Sequence, residues 1–238
     1  MRSRFPGFPP EGLQFLRGLA RHNHREWFLP RKAVFEEKVK QPMRQLVEAL
    51  NAALRGFAPE YVTDPDKAIY RIYRDVRFSQ DKKPYKEHIA ASFHRRGTTA
   101  HGEAGYYLAI SHKEVAIGGG VYMPQTPQLA AIRQHIAENH EQFRRILAAK
   151  RVRRLLGELQ GEQLSRTPKG FACDHPAAGL LRFKRYILYV ELEPEIAASP
   201  GLYGEILDRF RAMLPFMRFL TAPLANQRKK LDARELLV

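Results

Sequence analysis

The chain has 238 residues, 44% hydrophobic and 27% charged, with 40 Lys and Arg against 25 Asp and Glu for a net charge of +15. This composition suits one domain with a sizeable core and excludes disordered, collagen-like and disulfide-stapled classes. One cysteine, Cys173, cannot form an internal disulfide, and the opening MRSRFPGFPPEG lacks the apolar run of a leader or a membrane helix, so a cytoplasmic protein with no membrane association is expected.

The first third reads as helical. Leu13, Leu16 and Leu19 recur at helix spacing, and a second helix is expected after Asn23, with Asn23 as its cap and Glu26 reaching back three residues later. Trp27, Phe28, Phe35, Val39, Met43, Leu46, Leu50 and Leu54 form the stripe of a helix packed on a core, with Trp27 and Phe28 as its anchors. Pro30 fits the first turns, and Pro42 should kink or divide the helix. The run APEYVTDPD at 58–66 is a stop rich in turn residues.

The middle third reads as sheet. Ile69 to Val76 and Ile89 to Phe93 are strand candidates, while Gly105 to Ile110 and Glu114 to Tyr122 flank Ser-His-Lys as a hairpin. Gly118, Gly119 and Gly120 interrupt its second arm. They mark either a bulge with close backbone approach or an amide cradle for a phosphate, although no GxxxxGK[ST] or GxGxxG pattern accompanies them. Thr126 and Pro127 fit the cap and first position of a further helix, striped by Leu129, Ile132, Ile136 and Phe143. After a long loop, FKRYILYVEL within residues 181–192 is the late strand. A last helix, about residues 200–219, places Leu202, Ile206, Phe210 and Leu214 on one face. Helices, then hairpins, then helix, strand and helix imply an α+β single domain: a mostly antiparallel sheet with helices packed on one face.

Positive charge is concentrated. Residues 67–96, 151–185 and 209–230 carry +6, +5 and +6, so the remainder of the chain is about neutral. Convergence of these segments on one surface is expected if the partner is a polyanion. The densest polar stretch is RIYRDVRFSQDKKPYKEH at 71–88. In an extended chain Arg71, Tyr73, Asp75 and Arg77 share one face, and the guanidinium fork suits phosphate or carboxylate. Arg71, Arg74, Arg77, Ser79, Lys82, Tyr85 and Lys86 are therefore the candidate anion-binding residues, supported by Asp75, Asp81, Gly119 and Gly120. Asp75 and Arg77 are expected in one network with Lys82 or Lys86. The same residues could instead brace the loop against the sheet.

Other chemistry has less support. His22 and His24 are explained by a capping turn, and no H-E-x-x-H or CxxC pair follows, so neither a metal nor a cofactor is expected. Cys173, Asp174 and His175 are contiguous, whereas catalytic triads meet in space; Asp-His-Pro reads as a helix start. His88, His94, His101, His112, His135 and His140 are scattered and read as surface or hydrogen-bonded residues.

Residues 15–19, NHREWF at 23–28 followed by Pro42, RIYRDVRFSQDKKPYK at 71–86, GGGVYMP at 118–124 and TPKGFACDHPAAGLLRFK at 167–184 together resemble the domain of unknown function 2461 family. The resemblance spans nearly the whole chain. It implies a single intracellular α+β domain and a bacterial setting, and it supplies no catalytic residue. His22, His24 and residues 29–31 depart from the family pattern. Two functions are therefore expected in competition: binding of nucleic acid through a basic surface, or an enzyme acting on a phosphorylated or carboxylated small molecule held by residues 71–88, with Asp75 or Asp81 as base.

Overall fold

The computed structural model describes residues 5–95 and 104–235, with side chains described as far as Leu224. His101, Arg96 and the side chains of Arg228, Lys229 and Lys230 lie outside the described residues. The fold class is the expected one, a single α+β domain built on an antiparallel sheet of four strands. The strands are β1 (His88–His94), β2 (Gly105–Ser111), β3 (Val115–Val121) and β4 (Tyr186–Leu192), in the order β1-β2-β3-β4. Within this domain the chain gathers into two compact units, one formed by Met1–Phe93, Tyr107–Ile117 and Glu191–Asp208, the other by His94–Tyr106, Gly118–Val190 and Arg209–Val238.

In the first unit the helical run from Arg25 to Phe57 is continuous but changes geometry around its prolines. Helices α1 (Pro10–Arg21), α2 (Arg25–Phe28), α3 (Lys32–Phe35) and α4 (Gln41–Phe57) are followed by the short α5 (Pro65–Ala68). Residues Leu29–Arg31, around Pro30, tighten into a 3-10 turn, and Glu36–Lys40, just before Pro42, widen into a π-helical turn. Both follow from the missing proline N–H: Pro42 leaves the Lys38 carbonyl without its helical donor. That carbonyl is where α1 approaches, since a Cβ at Gly12 would stand on the Lys38 oxygen. The expected stripe from Phe28 to Leu54 is buried. Trp27 is only half-buried, however. Its indole lies against the backbone of Gly18, where an added Cβ would come within 2.7 Å, and the guanidinium of Arg31 covers its ring at 4.7 Å.

The hairpin of β2 and β3 falls within a residue of the expected bounds. The Ser111 hydroxyl closes it by accepting from the N–H groups of Lys113 and Glu114, each at 3.0 Å. Such an ST-type turn is the local reason Ser-His-Lys reads as a connection.

The second unit holds α6 (Thr126–Glu138), α7 (His140–Ala148), α8 (Lys150–Leu156) and α9 (Ala178–Leu181), and α10 (Leu202–Glu235) continues into it from the first unit. The cap of α6 is Gln125 rather than Thr126, with the Gln128 side chain accepting from the Gln125 N–H at 2.9 Å. Phe143 stacks on Phe219 at 4.8 Å and on Phe216 at 6.0 Å, and Tyr106 stacks on Phe210 at 4.3 Å. Helix α10 runs past the expected stop at residue 219, through Pro215 and Pro223. Its buried side in this unit is Phe210, Met213, Phe216, Met217 and Leu220, while Leu214, expected on the stripe, is half-exposed. No helix of the described residues is long and apolar enough to cross a membrane.

All seven residues of β3 are buried, and the glycine run explains how its neighbours come so close. A Cβ at Gly119 would lie 2.9 Å from the Met213 sulfur and 3.3 Å from that of Met217. One at Gly120 would fall on the Tyr186 carbonyl oxygen, and its φ of +131° disfavours any side chain. The reading of Gly119 and Gly120 as support for an anion is therefore corrected: helix α10 and strand β4 occupy the space a ligand would need.

Gly120→Ala should cost about 1–3 kcal/mol or more, from strained φ and overpacking together. Gly56→Ala, in α4 with nothing within 4 Å of the added methyl, should gain about 0.5–1 kcal/mol. Chemical denaturation of the two variants gives both signs.

Burial holds the imidazoles of His88, His112 and His135 below their ordinary value, with Lys86 reinforcing this at His88 and Lys113 at His112. The unfolded chain then binds more protons than the native one once pH falls through about 6.5. Stability should be fully present above that pH and decline toward about pH 5, before the carboxylates titrate. Thermal unfolding across this window, with a shallower slope in His88→Gln, measures it.

Candidate functional site

Residues 69–91 form an irregular antiparallel ribbon leading into β1. Isolated bridges join Ile69 to Ala91 and Tyr73 to Tyr85. The backbone N–H of Tyr70 donates to Ala90 at 2.9 Å, that of Lys86 to Ile72 at 2.8 Å, and that of Arg74 to Pro84 at 2.8 Å. The expected regular strand over Ile69–Val76 does not form, because Pro84 on the returning arm has no N–H to give and the ladder thins there. Side-chain alternation survives: Arg71, Tyr73, Asp75 and Arg77 are exposed, and Ile72 is buried between them.

The returning arm is pinned from the helical layer. The Asn23 carboxamide donates to the Tyr85 carbonyl and accepts from the Tyr85 N–H, both at 3.0 Å, so one side chain replaces a partner strand. Asn23 is thus not the expected helix cap; His24 holds that position without a capping bond, and its ring pairs with Glu26 at 3.0 Å. The Tyr85 ring stacks on Phe28 at 4.2 Å, with Tyr73 at 5.5 Å. Tyr85, expected to bind an anion, is buried, and this burial pushes its hydroxyl pKa up. Its role is to anchor the ribbon.

The charged groups pair locally. Arg77 forks onto Asp75, with Nε to Oδ1 at 3.0 Å and Nη2 to Oδ2 at 2.7 Å, while Arg74 reaches Asp81 at 2.6 Å. These guanidinium bonds, aided by the Arg77 and Lys83 backbone N–H groups, hold both carboxyls below the usual range. The network expected between this pair and the lysines is replaced by separate contacts. Lys82 donates to the Val76 carbonyl at 3.1 Å, and the Lys86 ammonium lies 5.0 Å from the centre of the Tyr70 ring. Burial first, and then Arg71, lowers the Lys86 pKa. Ser79 is half-buried in the turn, its N–H 3.4 Å from the Val76 carbonyl. The Asp75 and Arg77 side chains are 43% and 77% exposed, so solvent and salt screen the pair.

At the turn stands Phe78, 95% exposed, with the Arg77 guanidinium 5.8 Å from its ring centre. It is absent from the expected anion-binding residues, although an aromatic between Arg77 and Ser79 in a run of cations is a readable signal. Asn23 was also missed as an anchor, since its partner lies 62 residues away and the local sequence looks like a cap.

Fold and ribbon together define an α+β protein that presents a basic, aromatic-tipped ribbon to solvent. The chain belongs to the DUF2461 family of conserved hypothetical proteins, whose model matches residues 11–219 and so includes the whole ribbon. No curated protein and no solved structure matches it.

Asn23→Ala should strand the Tyr85 backbone groups at a cost of about 1–3 kcal/mol and raise hydrogen exchange across residues 70–87. Arg77→Ala, which removes only an exposed pair, should leave the melting temperature within experimental scatter. A large loss of stability in Arg77→Ala would reassign that pair as a brace.

Proposed function

We propose that this protein binds single-stranded nucleic acid through the ribbon of residues 71–86. The observation that supports this most is the exposure of Phe78 within a stretch that carries six Lys and Arg against two Asp. Leaving a phenyl ring in water forgoes its burial energy, and a flat ring beside cations suits a base whose backbone phosphates those cations follow. Arg71 and Lys82 would follow the phosphates, and Tyr73, 46% exposed, would add a second ring.

An enzyme acting on a small phosphorylated or carboxylated substrate at the ribbon fits less well. Its base would be Asp75 or Asp81, and both are held below the ordinary carboxylate range by their arginines, whereas a general base works best with a pKa near the operating pH.

Fluorescence anisotropy with a labelled oligothymidylate tests the reading. Log affinity should fall with log salt at roughly 0.7 per phosphate neutralised. Phe78→Ala should weaken binding by about 1–3 kcal/mol without altering stability. Affinity indifferent to salt between about 50 and 200 mM, or to Phe78, sinks the proposal.

A further inference from the structure

We propose that the second unit carries a separate binding site for a small organic anion, in the groove where residues 165–167 face Arg182. Its frame is built. Residues 160–164 run antiparallel to 182–187, with bridges Gln160 to Ile187 and Gln163 to Phe183 and with the Leu164 N–H donating to the Arg182 carbonyl at 2.8 Å. This pairing brings Ser165, Arg166 and Thr167 to line, together with Arg182, an open groove of about 540 Å³. The volume lies within the range of small-molecule sites.

The chemistry of the lining selects the ligand. No carboxylate lines the groove, and among the described residues neither Arg166 nor Arg182 has an acidic partner. Glu162, the acid at the start of this frame, is taken by Lys184 and lies 3.6 Å from Arg185. The Arg182 Nε is enclosed and has no hydrogen-bond partner, an unmet donor on a residue that lines the groove. Two guanidiniums and two hydroxyls suit a phosphate or carboxylate group. Phe171 and Ala178 give the ligand's body an apolar wall, and the space above Gly179 is open, with nothing within 4 Å of an added Cβ. This argument is independent of the ribbon.

Cys173, the chain's one cysteine, is exposed on the same lining and reports on the groove. Its thiolate displaces iodide from iodoacetate, a small carboxylate, or from neutral iodoacetamide, forming a thioether in each case. Rates of both alkylations of the full-length protein are followed by intact mass. The ratio of iodoacetate to iodoacetamide rate should exceed that of N-acetylcysteine about tenfold, the local enrichment a cationic cleft produces. It should fall to the free-thiol value in Arg166→Gln/Arg182→Gln. Inorganic phosphate should slow only the iodoacetate reaction, and more than sodium chloride at equal ionic strength, a measurement that needs no variant. A free-thiol ratio in the unaltered protein, a raised ratio that survives the double substitution, or phosphate protection no greater than that of chloride overturns the proposal. Loss of oligonucleotide binding in Phe78→Ala would leave these rates unchanged.

Discussion

Backbone running against backbone, with no room for a side chain between, is the constraint on which the second unit depends. At Gly120 the neighbouring backbone is the Tyr186 carbonyl in β4, while at Gly119 the sulfurs of Met213 and Met217 in α10 take the space a Cβ would need. Tyr186 is itself buried, with its hydroxyl donating to the Leu180 carbonyl at 3.0 Å. The same few residues thus place β4, the α9 turn and the buried side of α10. The groove beside Arg182 is a downstream result, since its frame is paired onto the β4 backbone.

The first unit uses a different device for an analogous task. Asn23 clasps both backbone groups of Tyr85, and the buried Asn51 does the same for Thr63, donating to its carbonyl at 2.6 Å and accepting from its N–H at 3.1 Å. A carboxamide has the donor and acceptor geometry of a peptide, so it can hold an irregular segment where no strand is available. The ribbon is therefore fixed at its base by Asn23 and by Phe28 stacking, while its charged tip is left in water.

What was legible in the sequence was local. The hairpin at 105–121 could be read from alternation and a Ser-initiated turn, and Pro42 from its missing N–H, because each cause sits within a few residues of its effect. Asn23 was misread for the opposite reason: the residues after it resemble a helix start, and its true partner is distant in sequence. Trp27 reads as a core anchor because size favours burial, whereas it is half-buried and covers Gly18. The apolar stripe that marks the last helix ends near residue 219, yet the helix continues through Pro223. The cationic character of residues 71–86 was plain, but which cations are spent on Asp75 and Asp81 required coordinates.

The two outer strands of the sheet, β1 and β4, are each flanked by a short stretch that is not itself a strand, Ile69 beside Ala91 and residues 160–163 beside 183–187. An open edge offers a row of unpaired amides and carbonyls to any other extended chain. Here each row is interrupted by one or two bridges, too irregular to template a further strand. The flanking stretches carry charge close by, at Lys67, Arg71, Glu158 and Glu162. Pairing with the edge of a second copy would have to displace these bridges and bring like charges together, so the fold works against edge-to-edge association.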